Sequence, residues 1–151
     1  MAPYNFDDRN IKWNTLALPP VGELKHLLFT ILNVDEENHI VHVLFKFSAN
    51  EKIILHRHMI HNNTFVVQGE HRLYEPDGTL KEIRPTGMYK STPPGDLHRE
   101  GGGPDQDVVV FLTCGAATAC SMKSWTTTGM SSPRSATRTF LAHIKRNKAF
   151  A

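Results

Sequence analysis

Three of the nine histidines in this chain stand at positions from which they could hold one metal ion. His56 and His58 are separated by one residue in a segment of strand character, and residues i and i+2 of a β-strand point to the same face. His98 follows a Pro-Pro-Gly-Asp-Leu turn, and a third histidine from a neighbouring strand would complete the set. Neutral imidazole is a ligand for zinc, copper, iron and nickel, and three ligands leave positions open for water, oxygen or substrate. The spacing predicts a catalytic metal centre, although a His-x-His pair taken alone is more often a surface or core pair.

The segments that must position these histidines have the pattern of short antiparallel strands. Most apolar segments before residue 113 are rich in β-branched and aromatic residues and are separated by turn signals such as Glu75-Pro76-Asp77-Gly78. Seven or more short strands without alternating helices predict an all-β sandwich or barrel. Five phenylalanines are predicted in its core: Phe29, Phe45, Phe47, Phe65 and Phe111. The predicted strands cover residues 27–32, 40–47, 52–56, 64–68, 71–74, 80–83, 87–91 and 107–113.

Two segments resemble the sequence motifs of the cupin family. Residues 87–98 fit the second cupin motif, which is a glycine, five residues, Pro-x-Gly, two residues and a histidine. Residues 56–69 match the first motif in their two histidines and their terminal glycine. The resemblance covers about residues 25–112. It implies an all-β double-stranded β-helix, that is, a jelly-roll cupin barrel, with an irregular C-terminal tail.

The ligand set that the resemblance implies is unusual. The cupin glutamate that follows the histidine pair falls at Asn62 or Asn63, and neither asparagine is a good substitute for an anionic ligand. The resemblance therefore implies one divalent metal held by His56, His58 and His98, with Fe(II) favoured and Zn, Ni or Mn as alternatives.

That pattern resembles small three-histidine cupins, namely the acetylacetone-cleaving and 2,4'-dihydroxyacetophenone dioxygenases and the cupin domain of ChrR-type anti-sigma factors. The implied function is a non-haem Fe(II) dioxygenase that uses O2 to cleave a C–C bond of a small β-diketone or hydroxyketone. Two alternatives stay open: a metal-dependent isomerase or hydrolase, and a ChrR-like cupin that senses a metal or ligand without catalysis.

Other polar residues near the motifs have predicted roles of a weaker kind. His61 lies in a polar His-Asn-Asn loop and is predicted to be exposed rather than a fourth ligand. The run from Gly101 to Pro104 is predicted to be a flexible loop. Candidates to orient the imidazoles or tune the centre are Asn63, Gln68, Tyr89, Arg99 and Glu100.

The chain divides into three predicted parts. Residues 1–24 form an N-terminal arm and residues 25–112 form the barrel. Residues 113–151 carry six Lys or Arg and no acid, whereas the preceding residues carry eleven Lys or Arg and all fifteen acids. Neither strand nor helix periodicity is visible in this tail, apart from one helical turn predicted near residues 140–144. A shifted reading frame and poor order are two interpretations of the tail.

Composition excludes several function classes. A length of 151 residues suits one domain, and no apolar run approaches the roughly 20 residues of a membrane helix. The first ten residues lack the pattern of a secretory signal, which predicts a cytoplasmic protein. The basic tail has no block of consecutive basic residues, so we predict no nucleic-acid partner. Exposed strand edges predict a homodimer or higher homo-oligomer.

Overall fold

The computed structural model describes residues 5–18, 21–115, 122–126 and 129–130. Within these residues the regular secondary structure consists of β-strands, without helices. The all-β prediction is confirmed. None of the described segments forms a helix long and apolar enough to cross a membrane. The strands are β1 (Asn14–Leu18), β2 (Gly22–Asp35), β3 (Ile40–Phe47), β4 (His56–His58), β5 (Asn62–Gln68), β6 (Glu70–Tyr74), β7 (Leu80–Pro85), β8 (Tyr89–Thr92), β9 (Leu97–Gly102), β10 (Val108–Gly115), β11 (Met122–Thr126) and β12 (Gly129–Met130).

The strands form two six-stranded antiparallel sheets. One has the order β1-β2-β3-β10-β5-β8 and the other β12-β11-β4-β9-β6-β7. Strand β10 lies between β3 and β5 in the first sheet, and β9 lies between β4 and β6 in the second. Each sheet is therefore held together by pairing between strands that are far apart in sequence. The core includes Phe29, Val43 and Val66, none of which exposes any surface. Burial of such side chains is the main favourable term in folding.

The predicted hairpin between residues 27 and 47 is confirmed as β2-β3. Asp35 closes its turn, because one carboxylate oxygen accepts from the Asn38 backbone N–H at 3.0 Å and the other accepts from the Asn38 amide at 2.8 Å. His39 follows with a φ of 55° and ends the turn before β3 begins. Local side-chain chemistry therefore sets the register of these strands.

Two sequence expectations near the histidines are wrong. Residues 52–56 do not form a strand; Lys52 makes one isolated bridge to Gly101, and a strand begins only at His56. The run from Gly101 to Pro104 is not a free loop either, because Gly101 and Gly102 complete β9 and are buried against β6. The reason is tertiary: the glycines lie directly under the backbone of residues 48–52, where a side chain would not fit.

The ends of the predicted barrel also differ from the structure. The segment predicted as an N-terminal arm contributes β1, and its Leu16 and Leu18 are buried in the core. In the segment predicted as an irregular tail, β10 continues to Gly115 and β11 pairs with β4. The helical turn predicted near residues 140–144 lies outside the described residues.

The prediction for the five phenylalanines is correct for three of them. Phe29, Phe45 and Phe47 are buried, whereas Phe65 is 41% exposed and Phe111 is half-buried. Strand alternation explains the difference: Thr64 and Val66 of β5 point inward, so Phe65 between them points outward. An aromatic side chain in a strand is thus assigned to a face by the register of its neighbours.

Replacement of Gly101 by alanine is expected to destabilise the fold by about 3 kcal/mol, because a Cβ at this position would overlap the carbonyl oxygen of Glu51. The measurement is the free energy of unfolding in urea. Gly115→Ala is the matched control, since the nearest atom to its Cβ, the His39 carbonyl oxygen, is 3.9 Å away. Equal stability of the two variants would contradict the close approach at Gly101.

Candidate metal centre

The three predicted histidines meet where β4 pairs with β9. His56 lies directly opposite His98 in the antiparallel register, and His58 is two residues along β4 on the same face. Glu100 stands two residues after His98 and therefore shares that face too. One ligand atom from each of these four side chains lies within 4.8 Å of all the others, and all four side chains are buried.

The hydrogen bonds of the imidazoles fit a bound cation. The Ile54 carbonyl can only accept, so His56 Nδ1, 2.9 Å away, donates to it. In neutral His56, Nε2 then carries a lone pair, yet it lies 3.0 Å from the carboxylate oxygen Oε1 of Glu100. Two acceptors face each other at this distance only with a proton or a cation between them. His98 Nδ1 likewise donates to the Asp96 carbonyl at 3.1 Å, which leaves its Nε2 available as a ligand.

Burial tunes the protonation of two members of this cluster. Burial lowers the pKa of His98 to about 4, and the neighbouring His56 and His58 act in the same direction, against the opposing effect of Glu100. At neutral pH the His98 imidazole is therefore uncharged and can donate a lone pair. Burial by itself would raise the pKa of Glu100, but contacts with His56, His58 and His71 hold it well below its usual range. Glu100 is thus a carboxylate, and three imidazoles with one carboxylate form a donor set typical of zinc or of divalent iron, nickel and manganese.

A fourth buried histidine, His71, contacts the Glu100 carboxylate. His71 Nε2 lies 2.7 Å from Glu100 Oε2, on the side of the carboxylate that His56 does not contact. The His71 ring stacks on Phe47, with centroids 5.4 Å apart and planes at 21°. The contact from His71 fixes the orientation of the carboxylate, which is the usual role of a residue behind a metal ligand.

A small cavity adjoins the cluster inside the barrel. His58, His98 and Glu100 form one wall, and the other lining residues are Asn62, Thr64, His71, Leu73, Arg84, Thr92 and Leu112. The space open to the centre of a water molecule is about 20 Å³, enough for one water or one small polar group. The cavity therefore lies directly beside the four-residue cluster.

Of the predicted tuning residues, only Glu100 lies in this site. Tyr89 is 60% exposed and lies opposite Phe65 on the outer face. Gln68 binds elsewhere: its oxygen accepts from the Phe6 backbone N–H at 2.6 Å and its amide donates to the Asp107 carbonyl at 2.9 Å. Arg99 alternates with His98 and Glu100 and so faces the opposite side of β9.

The remaining assignments follow the same strand alternation. Asn63 is half-buried and lies opposite Ser91, on the other face of β5 from Asn62. Asn62, one of the two residues at the position of the cupin glutamate, does line the cavity. His61 is exposed, as predicted, and its Nε2 lies 2.6 Å from Ser91 Oγ.

Glu100 is not among the predicted metal ligands, and no role is predicted for His71 or Arg84. The sequence contains a signal for Glu100 and none for the other two residues. Glu100 repeats the i, i+2 spacing of the histidine pair, but the glycines after it obscured the strand. His71 and Arg84 lie on β6 and β7, in segments whose polar residues give no indication of which face is inward. Only the pairing of β6 with β9 brings His71 to Glu100.

Comparison with known proteins identifies the fold through structure. No protein-family model and no curated protein sequence matches the chain. Among solved structures, the polyketide cyclase RemF from Streptomyces resistomycificus is similar with a TM-score of 0.59 and 21% identity, over 75% of this chain and 79% of that one. A cupin-2 domain protein from Rhodospirillum rubrum has a TM-score of 0.62 and 12% identity, over 84% of both chains.

A third similar structure is that of Rhodobacter sphaeroides SigE in complex with the anti-sigma factor ChrR. Its TM-score is 0.54 with 16% identity, over 69% of this chain and 48% of that one. These likenesses, together with the two antiparallel sheets, show that the chain has the cupin barrel fold. The predicted double-stranded β-helix is confirmed.

Proposed function

We propose that this chain is a metal-dependent enzyme that uses O2 to cleave a C–C bond of a small carbonyl compound, a β-diketone or a hydroxyketone. The observation that carries the proposal is the buried cluster of His56, His58, His98 and Glu100 at the wall of a small cavity. Four protein ligands would leave two open positions on a six-coordinate ion such as iron(II), and the adjoining cavity admits a small group, which supports chemistry rather than a purely structural ion.

Those four residues would hold one divalent ion, with iron(II) favoured over zinc, nickel and manganese. The ion would polarise the carbonyl oxygens as a Lewis acid and, as iron(II), would make reaction with O2 accessible. The chain's own residues orient the side chains that would bind the ion. His71 holds the Glu100 carboxylate in place, and the backbone carbonyls of Ile54 and Asp96 hold the His56 and His98 rings with Nε2 free.

The overall reaction balances without a further reductant. Cleavage of a β-diketone by one O2 breaks one C–C bond and places both oxygen atoms in the products, a carboxylic acid and a 2-oxoaldehyde. The enol form of the substrate supplies the electrons, and its acidic proton is lost on binding.

The test is O2 uptake by protein reconstituted with iron(II), in the presence of a panel of β-diketones and hydroxyketones. We expect one O2 consumed per substrate cleaved, with no uptake by zinc-loaded protein. Substrate consumption without O2 uptake would overturn the dioxygenase proposal, and so would stoichiometric iron with no turnover of any carbonyl compound tested.

Each of those two outcomes corresponds to a second candidate. Similarity to a polyketide cyclase favours non-oxidative chemistry on a carbonyl compound, which includes the isomerase or hydrolase alternative. Similarity to ChrR favours a sensor that binds a metal or ligand without turnover. The cytoplasmic location, the homodimer and the absence of nucleic-acid and membrane partners remain part of this proposal and are predictions.

A further inference from the structure

Three buried hydrogen-bond donors line the cavity beside the cluster and have no partner within the described part of the chain. They are Arg84 Nε, Asn62 Nδ2 and Thr92 Oγ1. Arg84 and Asn62 each expose only 4% of their surface. Buried polar groups in native proteins are nearly always hydrogen-bonded, so three such atoms around one cavity indicate a ligand that accepts hydrogen bonds there.

Arg84 is placed inside the barrel by the alternation of β7. It is the only fully buried residue of that strand, and it lies opposite His71 in the pairing with β6. Its guanidinium crosses the interior toward the other sheet, where Nη1 lies 3.4 Å from Thr64 Oγ1. Nη2 donates to Glu82 at 2.9 Å, and Nε is the guanidinium nitrogen that has no partner among the described residues.

Asn62 and Thr92 approach the cavity from the opposite sheet. They are direct partners in the pairing of β5 with β8, so their side chains stand next to each other on one face. Both residues line the cavity together with Arg84, His58 and His98. The three donors and the metal-binding cluster therefore share one small space.

The charges around Arg84 leave room for one anion when a divalent ion is bound at the cluster. Glu82 contacts Arg84 with one carboxylate oxygen and Lys90 with the other, at 2.9 and 3.2 Å. One carboxylate thus serves two cations, and Glu100 is a second carboxylate at the same cavity, so these four charged side chains balance. A divalent ion at the cluster would add the positive charge that an anionic ligand offsets. A guanidinium binds planar carboxylates well because its donors are arranged in a fork.

We propose that Arg84, Asn62 and Thr92 bind the carboxylate group of the substrate, which is the one small polar group for which the cavity has room, so that the substrate is a small oxo-carboxylic acid whose carbonyl oxygen faces the metal cluster. This inference rests on the proposed function for the position of the carbonyl group and for the bound divalent ion, but not for the reaction with O2. It narrows the substrate class from neutral diketones and hydroxyketones to their acidic counterparts.

The test measures binding to zinc-loaded protein, in which no reaction with O2 is expected, by isothermal titration calorimetry. The probes are acetoacetate and its neutral methyl ester, which differ in the carboxylate. We expect acetoacetate to bind at least about tenfold more tightly than the ester, and we expect Arg84→Met to remove this preference. Equal affinity of the two probes for the wild-type protein would overturn the inference.

The matched control is Arg72→Met. Arg72 also pairs with a glutamate two residues before it, Glu70, but it does not line the cavity. This variant is expected to keep the preference for acetoacetate. Asn62→Asp is a second probe variant for the case that Arg84→Met does not fold. It is nearly isosteric and places a negative charge in the cavity, so it should weaken acetoacetate binding more than ester binding.

The outcomes separate the inference from the proposed function. Preference for acetoacetate that depends on Arg84, without O2 uptake on iron(II) protein, would support the carboxylate site and overturn the dioxygenase. O2 uptake with neutral diketones, without any preference for acetoacetate, would support the dioxygenase and overturn the carboxylate site.

Discussion

His98→Ala is expected to reduce the metal content of the protein from about one divalent ion per chain to less than about a tenth of that. His98 supplies the only cluster imidazole from β9, and its low pKa keeps the ring uncharged and able to bind at neutral pH. Loss of one of four buried donors removes more affinity than the 10- to 100-fold that loss of an orienting residue costs. The measurement is metal analysis of protein purified without chelators, with O2 uptake measured in parallel.

His61→Ala provides the control for this loss. His61 is also a histidine of the β4–β5 region, but it is exposed and contacts Ser91 instead of the cluster. This variant is expected to retain its metal. Circular dichroism and thermal unfolding show whether His98→Ala stays folded. A folded His98→Ala protein with full metal content would contradict the assignment of His98 as a ligand.

Glu100→Gln is expected to lower metal affinity more than about 100-fold, beyond the 10- to 100-fold that loss of an orienting residue costs, and to reduce turnover at least as strongly. The change removes the only negative charge among the four clustered side chains while preserving their shape. It also replaces the carboxylate that His56, His58 and His71 contact, so the orientation of all three rings is affected. Competition for the metal with a chelator of known affinity measures the effect.

The matched control for Glu100→Gln is Glu51→Gln. Glu51 also faces an imidazole, since its Oε2 lies 3.7 Å from His26 Nε2, but this pair is on the surface. Unchanged metal affinity is expected for this variant. If Glu100→Gln also kept full affinity and turnover, the centre would be the three-histidine site that the cupin resemblance implied, and Glu100 would only neutralise charge nearby.

Much of this arrangement follows from local sequence. The alternation in residues 40–47 predicts β3 with the bounds that the structure shows, and the Asp35 turn predicts its hairpin partner. The His-x-His spacing places both imidazoles on one face, because successive side chains of a strand point to opposite sides. These features depend on residues within a few positions of one another.

The alternation of apolar and polar residues did not predict strands in segments where this pattern is unclear. Strand β9 was hidden because prolines and glycines flank the short run that contains His98 and Glu100. Phe65 was predicted to lie in the core because it is aromatic, but the register of β5 places it on the outer face. Glycines that normally indicate a loop are required here by the close approach of another backbone.

By itself, the sequence determined the all-β character, the β2–β3 hairpin and the histidine pair on one strand face. Tertiary structure alone decided that His71 supports Glu100 and that Arg84 reaches the same cavity. The physical reason is that side-chain direction within a strand is set by local geometry, whereas the pairing of β4, β9, β6 and β7 is set by the burial of the whole core.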